Sequence, residues 1–364
     1  MMIFLDSNIL CSDFYMRNAY FCGIKKIGTI VLGQIVVDET VNKYRELLSE
    51  NIQQLNRAIG NINRMVNNQV SMSLDNLVET ETEKYRHFLD IFSIASGMGD
   101  AESYPDDPHE QVVQRVLQRK KPFKGDGSTG YRDYLVWRTV LNLASTYQNE
   151  EIHFITQNVK DFSDSKDINR LHKDLLEDLE QQGISCDRFH YWISLKSFLE
   201  NYASERILEI EQREKIVEEI EKNTVGYHGK LTEYIENSIV GIDISNEDVC
   251  VPGKRATIKT IEGYSVNRLY DIAEITESSY LLEICIDCEC IVESHSNETE
   301  IAEVEDNGWF YVEIIERKDS EWLIQIAIGL QIHLCVIYDR KSSTIESIQL
   351  DYIDDNDCPY CCWE

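Results

Sequence analysis

The sequence predicts an α/β protein: a parallel central sheet, then a charged connector helix, then a C-terminal, mainly antiparallel β domain. Three observations predict it. Short apolar runs alternate with long segments of helical periodicity up to about residue 202. Residues 203–225 are dense in Glu, Lys and Arg at helical spacing. Beyond residue 226 the texture becomes alternating apolar and polar, broken by turn signals. The expected units are therefore 1–202, the connector 203–225, and an acidic β-rich unit 226–364.

The first strand is the run Ile3-Phe4-Leu5, ending in Asp6. A second apolar run, residues 28–32 continued by 35–37, leads into Asp38-Glu39-Thr40-Val41. From there to about Asn67 the apolar positions Val41, Tyr44, Leu47, Leu48, Ile52, Leu55, Ile59 and Ile62 recur at three-and-four spacing, which predicts a long helix. Residues 75–97 read as a further helix, and 103–108 as an acidic, turn-rich connector. A short helix follows from His109 to Lys121. The stretch 123–130 carries three glycines and reads as a loop. Residues 131–147 form a helix, 151–156 a buried strand, and 157–162 a turn. Helices at about 167–183 and 194–202 close the unit. In the last third, residues 280–286, 309–315 and 332–338 are strand-like.

Charge is uneven. The chain carries a net −30; residues 201–364 hold 13 Lys/Arg and 36 Asp/Glu, a net of −23, leaving −7 for residues 1–200. The acidic half should repel phosphates and anionic membranes, and it suits a basic protein partner. The start lacks a basic stretch before its first acid, and no run reaches the roughly 20 apolar residues that span a bilayer, so a cytoplasmic protein is expected. Eleven cysteines at this length fit reduced thiols. The pairs Cys285/Cys288 and Cys358/Cys361 have zinc-ligand spacing, but the first lies inside a strand-like run, so buried thiols are the simpler reading.

Asp6 is the informative residue. An acid at the tip of a buried strand is costly without a cationic partner or a metal. Glu39, Asp133 and Asp161 occupy comparable positions at later strand or helix ends. In a parallel sheet such ends share one rim, where ligands gather. Converging carboxylates repel unless protonated or bridged by cations, and Mg2+ or Mn2+ with oxygen ligands would relieve that repulsion. Each acid also has a plainer reading. Asp6 could serve an Asx turn. Glu39 and Asp133 could answer helix dipoles. Asp161 could be a turn residue, and Asp38 competes with Glu39 as the ligand.

The motifs around these acids resemble those of PIN domains, a family of metal-dependent nucleases. Phe4-Leu5-Asp6-Ser7-Asn8 is similar to the family's first motif, and Glu39 in Val36-Val37-Asp38-Glu39 to its second. Asp133 in Gly130-Tyr131-Arg132-Asp133 resembles the third, in the Gly-aromatic-Arg-Asp form of a bacterial subgroup. The fourth reads Thr156-Gln157-Asn158-Val159-Lys160-Asp161-Phe162; Asn158 stands where many members carry an acid. The resemblance covers a little over half the chain. It implies a three-layer fold and a divalent ion held by Asp6, Glu39, Asp133 and Asp161. It further implies cleavage of single-stranded RNA by metal-activated water, with Asn8, Lys124, Arg132, Thr156, Asn158 and Lys160 near the substrate.

The basic cluster Arg115, Arg119, Lys120, Lys121, Lys124 and Arg132, with Phe123 and Tyr131 interleaved, could contact phosphates and stack bases; a solvated helix end is the plain alternative. A haloacid-dehalogenase type phosphatase would need an acid where Asn8 stands, and no glycine fingerprint follows the first strand. Two further readings stay open beside the nuclease. One is a degenerate scaffold that binds a protein through the acidic half. The other is a toxin or anti-phage effector whose acidic half is regulatory.

Overall fold

The computed structural model describes residues 1–354 except 69, 73, 75, 97–99, 107–108, 124–128, 246–248, 250, 252, 302–310 and 318–320. The chain divides into two compact units, residues 1–17 with 24–200, and residues 18–23 with 201–364.

The first unit holds a four-stranded parallel sheet of β1 (Met2–Leu5), β2 (Thr29–Val31), β3 (Ile152–Ile155) and β4 (Phe189–Trp192), in the order β2-β1-β3-β4. Both central strands are fully buried along their length, as continuous apolar runs in a parallel sheet require. Helices alternate with the strands along the chain: α1 (Ser7–Ser12), α2 (Ala19–Ile27), α3 (Gln34–Asn63), α4 (Leu77–Ala95), α5 (His109–Leu117), α6 (Tyr131–Thr146), the single turn α7 (Val159–Phe162), α8 (Lys173–Gln181) and α9 (Leu195–Ser204), the first residues of α2 and the last of α9 being counted with the second unit. Trp137 of α6 is fully buried against Phe154 of β3 and Phe189 of β4.

Two expectations change here. The run Ile35-Val36-Val37 is not strand: α3 begins at Gln34, and Val36, Val37, Thr40 and Val41 are its buried face. A short run of β-branched residues suits a strand or a buried helical turn equally, and tertiary burial decides. The fourth strand, Phe189-His190-Tyr191-Trp192, joins β3 in parallel, and the sequence pattern does not mark it. Its aromatic and His residues alternate without an aliphatic run.

The second unit is built on a five-stranded antiparallel sheet: β5 (Lys254–Thr276), β6 (Ser279–Ser296), β7 (Tyr311–Arg317), β8 (Trp322–Asp339) and β9 (Thr344–Asp354). The order is β5-β6-β8-β7, with β9 pairing the other stretch of β8. The strands are far longer than the apolar cores 280–286 and 332–338 suggest. The charged stretch after residue 203 forms α10 (Ile210–Glu221), whose Ile216 and Ile220 enter the core of this unit. That core also takes Leu231 from α11 (Lys230–Tyr234) and a ladder of alternate positions on β6, Ile284, Ile286, Cys288, Cys290 and Val292.

Because strand side chains alternate, Cys285 and Cys288 point to opposite faces of β6. This pair therefore cannot chelate one ion; Cys288 and Cys290 share the core face as apolar thiols. Cys358 and Cys361 lie outside the described residues, as do Trp309 and Phe310. Among the described residues no helix is long and apolar enough to cross a membrane.

Candidate metal centre

Asp6 follows β1 directly and caps α1: its Oδ1 accepts from the Ser7 backbone N–H at 2.7 Å. The plain capping role is thus real, but it uses one oxygen only. Asp6 is 4% exposed. Its Oδ2 accepts from the Thr156 hydroxyl at 2.6 Å and from the Asn8 amide at 2.9 Å. Thr156 sits at the end of β3, beside β1, so the sheet register itself brings positions 6 and 156 together.

From Thr156 the network runs on. Its oxygen accepts from the Asn158 backbone N–H at 3.0 Å, and the Asn158 side-chain amide donates to Asp133 Oδ1 at 2.8 Å. On the other flank, the Ser7 hydroxyl donates to Glu39 Oε2 at 3.1 Å, and Arg132 pairs with Glu39 Oε1 at 3.3 Å. Asp6, Glu39 and Asp133 are therefore members of one polar network drawn from β1, α3 and the first turn of α6. Asp161, in α7, pairs with the Lys121 ammonium at 3.8 Å.

The titration behaviour reports the crowding. Burial pushes the Asp6 carboxyl up, and the charge of Glu39 adds to it against the Thr156 and Ser7 hydrogen bonds. Burial raises Glu39, with Asp133 adding and Ser7 and Arg132 opposing. Asp133 is pushed up to about 6, first by burial, then by the charges of Asp161 and Asp6. Asp6, Glu39 and Asp133 thus raise one another's carboxyls, and the charge of Asp161 acts on Asp133, as like charges near one locus do. The donor set is all oxygen and anionic, which suits a hard divalent cation such as Mg2+ or Mn2+.

Asp38 does not join them. It accepts from Gln34, from Arg86 at 2.9 Å and from the Tyr104 hydroxyl at 2.7 Å, and those hydrogen bonds hold its carboxyl below the usual range against its partial burial. One residue along a helix turns the side chain by about 100°, which separates the two neighbouring acids.

Residues 115–123 are anchored by contacts with α8 and α6. Arg115 donates to the Lys121 carbonyl and forms a two-point pair with Asp178, which also accepts from the Trp137 indole at 2.8 Å. Lys120 pairs with Glu177, and the Lys121 backbone N–H donates to Asp174. The acids of α8 therefore engage Arg115 and Lys120, which corrects the reading of these two as open phosphate contacts. Phe123 is buried and stacked on Tyr134, so it is packing rather than a base platform. Gly130 precedes α6 at φ +112°, and a Cβ there would lie 2.5 Å from the Pro122 carbonyl, so no other residue fits without displacing backbone. Arg132 stays 79% exposed, and Tyr131 is exposed beside it. Thr156 is fully buried and Asn8 is held between Asp6, Thr156 and the Gln157 backbone, so both serve the acids rather than an open surface. Lys160 is exposed; Lys124 lies outside the described residues.

A second group escapes sequence reasoning. Glu151, His153 and His190 offer ligand atoms within 4.8 Å of one another, near the starts of β3 and β4. Parallel pairing sets His153 opposite His190, a juxtaposition invisible until β4 is recognised. The Trp192 indole donates to His153 Nδ1 at 3.1 Å, so the neutral ring carries its proton on Nε2. That buried N–H finds no hydrogen-bond partner, with Glu151 3.7 Å away. The two imidazoles stack at 4.7 Å, 23° apart, so their ring planes run nearly parallel and do not converge on a common point. Burial and His190 push His153 down to about 3. His153 is thus a buried neutral imidazole stacked on His190.

The PIN domain family model matches residues 3–162, a span that includes all four acids. PIN domains are generally metal-dependent nucleases. No curated protein and no solved structure matches the chain.

Proposed function

We propose that this chain, with its PIN domain over residues 3–162, is an endonuclease for single-stranded RNA. Asp6, Glu39 and Asp133 would hold Mg2+ or Mn2+, and Asp161 would assist. The observation that carries the reading is the continuous path Asp6–Thr156–Asn158–Asp133, which ties a strand-end acid to a helix-start acid 127 positions later. A divalent ion, when bound, supplies charge neutralisation for the phosphodiester and a water acidic enough to attack it.

The protein's own groups do the rest. Thr156 and Asn8 fix the Asp6 rotamer, and Ser7 fixes Glu39. Asn158 holds Asp133 by a neutral donor where an acid would add repulsion. Arg132 stands exposed next to Glu39 and is the residue we assign to the substrate phosphate. Lys160 and the exposed Tyr131 would border the path of the strand.

The test is cleavage of labelled single-stranded RNA and DNA, with and without Mn2+, beside Asp6→Asn. RNA cleavage that needs Mn2+ and is lost in the variant supports the reading. Cutting of DNA alone would redirect the substrate, and metal-independent cutting equal in both proteins would refute it. A scaffold reading is favoured by one feature, the amide of Asn158 occupying an Asp133 oxygen; the same assay decides it through absence of any Mn2+-dependent product. A toxin or defence role, with the acidic unit 201–364 as the regulatory or partner-binding part, predicts growth arrest on expression that Asp6→Asn relieves.

A further inference from the structure

The second half of α3 differs from the first. Residues 36–41 bury Val36, Val37, Thr40 and Val41, yet from Asn51 to Ile62 every position is exposed except Ile52 and Ile59, which are half-buried. About 20 Å of helix therefore runs through solvent. An isolated helix of this length is marginal in water, because helices draw their stability from packing an apolar face. The face is present. Leu48, Ile52, Leu55, Ile59 and Ile62 recur at spacings of four, three, four and three, and Val66 follows four further on. Leu55, Ile62 and Val66 are 40%, 41% and 43% exposed.

Within α3, which ends at Asn63, that spacing makes two heptads, with β-branched Ile52 and Ile59 on one seam row and Leu48, Leu55 and Ile62 on the other; Val66 lies past the helix end. Such a division favours two-stranded coils. We infer that this stripe pairs with the same stripe of a second copy of the chain. Charge selects this occupant. The positions of α3 flanking the seam are Ser49, Asn51, Asn56, Ala58 and Asn63, none of them charged. Residues 51–74 hold no Asp or Glu in a chain of net −30. Their two cations, Arg57 and Arg64, both fall on the outward row opposite the seam. Two strongly acidic molecules thus meet over a strip where neither repels the other. The seam is short, under three heptads, so the dimer is concentration-dependent.

Sedimentation of the full chain from about 1 to about 100 µM tests this. The expected result is a shift from 42.3 kDa toward twice that mass as concentration rises. Leu55→Glu with Ile62→Glu places like charges in the seam and should weaken dimerisation at least roughly tenfold, about 1.4 kcal/mol. Leu55→Gln with Ile62→Gln should weaken it without added charge. Arg57→Glu with Arg64→Glu changes the outward row and should leave the dimer in place. A wild-type chain that stays monomeric throughout, seam variants that dimerise like wild type, or an outward-row variant that dissociates as fully as the seam variants would each overturn the inference.

Discussion

Two groups of ionisable side chains hang on the same parallel sheet, and they resolve their burial in opposite ways. At the carboxyl ends, burial and mutual charge push the carboxyls of Asp6, Glu39 and Asp133 up, each being held by a hydroxyl, amide or cation, and the charge of Asp161 adds to the rise at Asp133. Near the amino ends, His153 is buried and neutral, stacked on His190, and Trp192 consumes the His153 lone pair. On the proposed reading the first group is relieved by gaining a cation, whereas the second resolves its burial by staying uncharged at His153. The proposed cation site is therefore the carboxylate group, while the His153 ring has its Nδ1 lone pair already taken by Trp192.

The largest effect that would break this contrast comes from the acids. Asp133→Asn or Asp6→Asn should lower Mn2+-dependent cleavage by roughly a thousandfold or more with an unchanged circular dichroism spectrum, while His153→Phe should leave cleavage within about twofold. Next in size is the acid dependence of metal binding. With Asp133 at about 6, a proton competes for the site below that pH. Mn2+ affinity should therefore fall as pH drops through 6, by up to about tenfold per unit, measured by calorimetry.

The supporting groups come third. Thr156→Val removes the hydroxyl that orients Asp6 and should cost roughly 10- to 100-fold in metal affinity or rate. Asp38→Asn is the matched control. It should lower thermal stability through loss of the Arg86 and Tyr104 contacts and leave metal binding near wild type. If Asp38→Asn abolished binding and Glu39→Gln did not, the choice between the two neighbours would be reversed.

The smallest effect belongs to the histidines. His153 is held at about 3 against an ordinary value of 6.5. Between those values the unfolded chain binds the proton and the folded chain does not, so stability is fully present above 6.5 and falls as pH falls toward 3. The slope is at most about 1.4 kcal/mol per pH unit. Urea unfolding of His153→Phe should be correspondingly less steep in pH across that window.

Much of this fold, and the acids proposed as its site, are legible in the amino-acid sequence. Asp6 declares itself because a buried strand ends in it, and Asp133 because a glycine loop leads to it. Periodicity carries the long helix and the change to antiparallel strands. What stays hidden depends on register and phase. The helical start at Gln34 reads as strand because Ile35-Val36-Val37 fits either form until packing decides. The strand at Phe189–Trp192 lacks aliphatic residues, and the His153–His190 stack is hidden with it. The engagement of Arg115 and Lys120 by Asp178 and Glu177 is a contact between α8 and residues some sixty positions earlier, which no local pattern encodes. Zinc spacing at Cys285 and Cys288 fails for a simple reason: three residues along a strand reverse the face.

The most direct measurement is Mn2+ titration by calorimetry of the wild-type chain, Asp133→Asn and His153→Phe at pH 7.5. The carboxylate account predicts saturable binding in the wild type and in His153→Phe, and its loss in Asp133→Asn. Binding that survives Asp133→Asn and disappears in His153→Phe would place the ion at the opposite end of the sheet and contradict it.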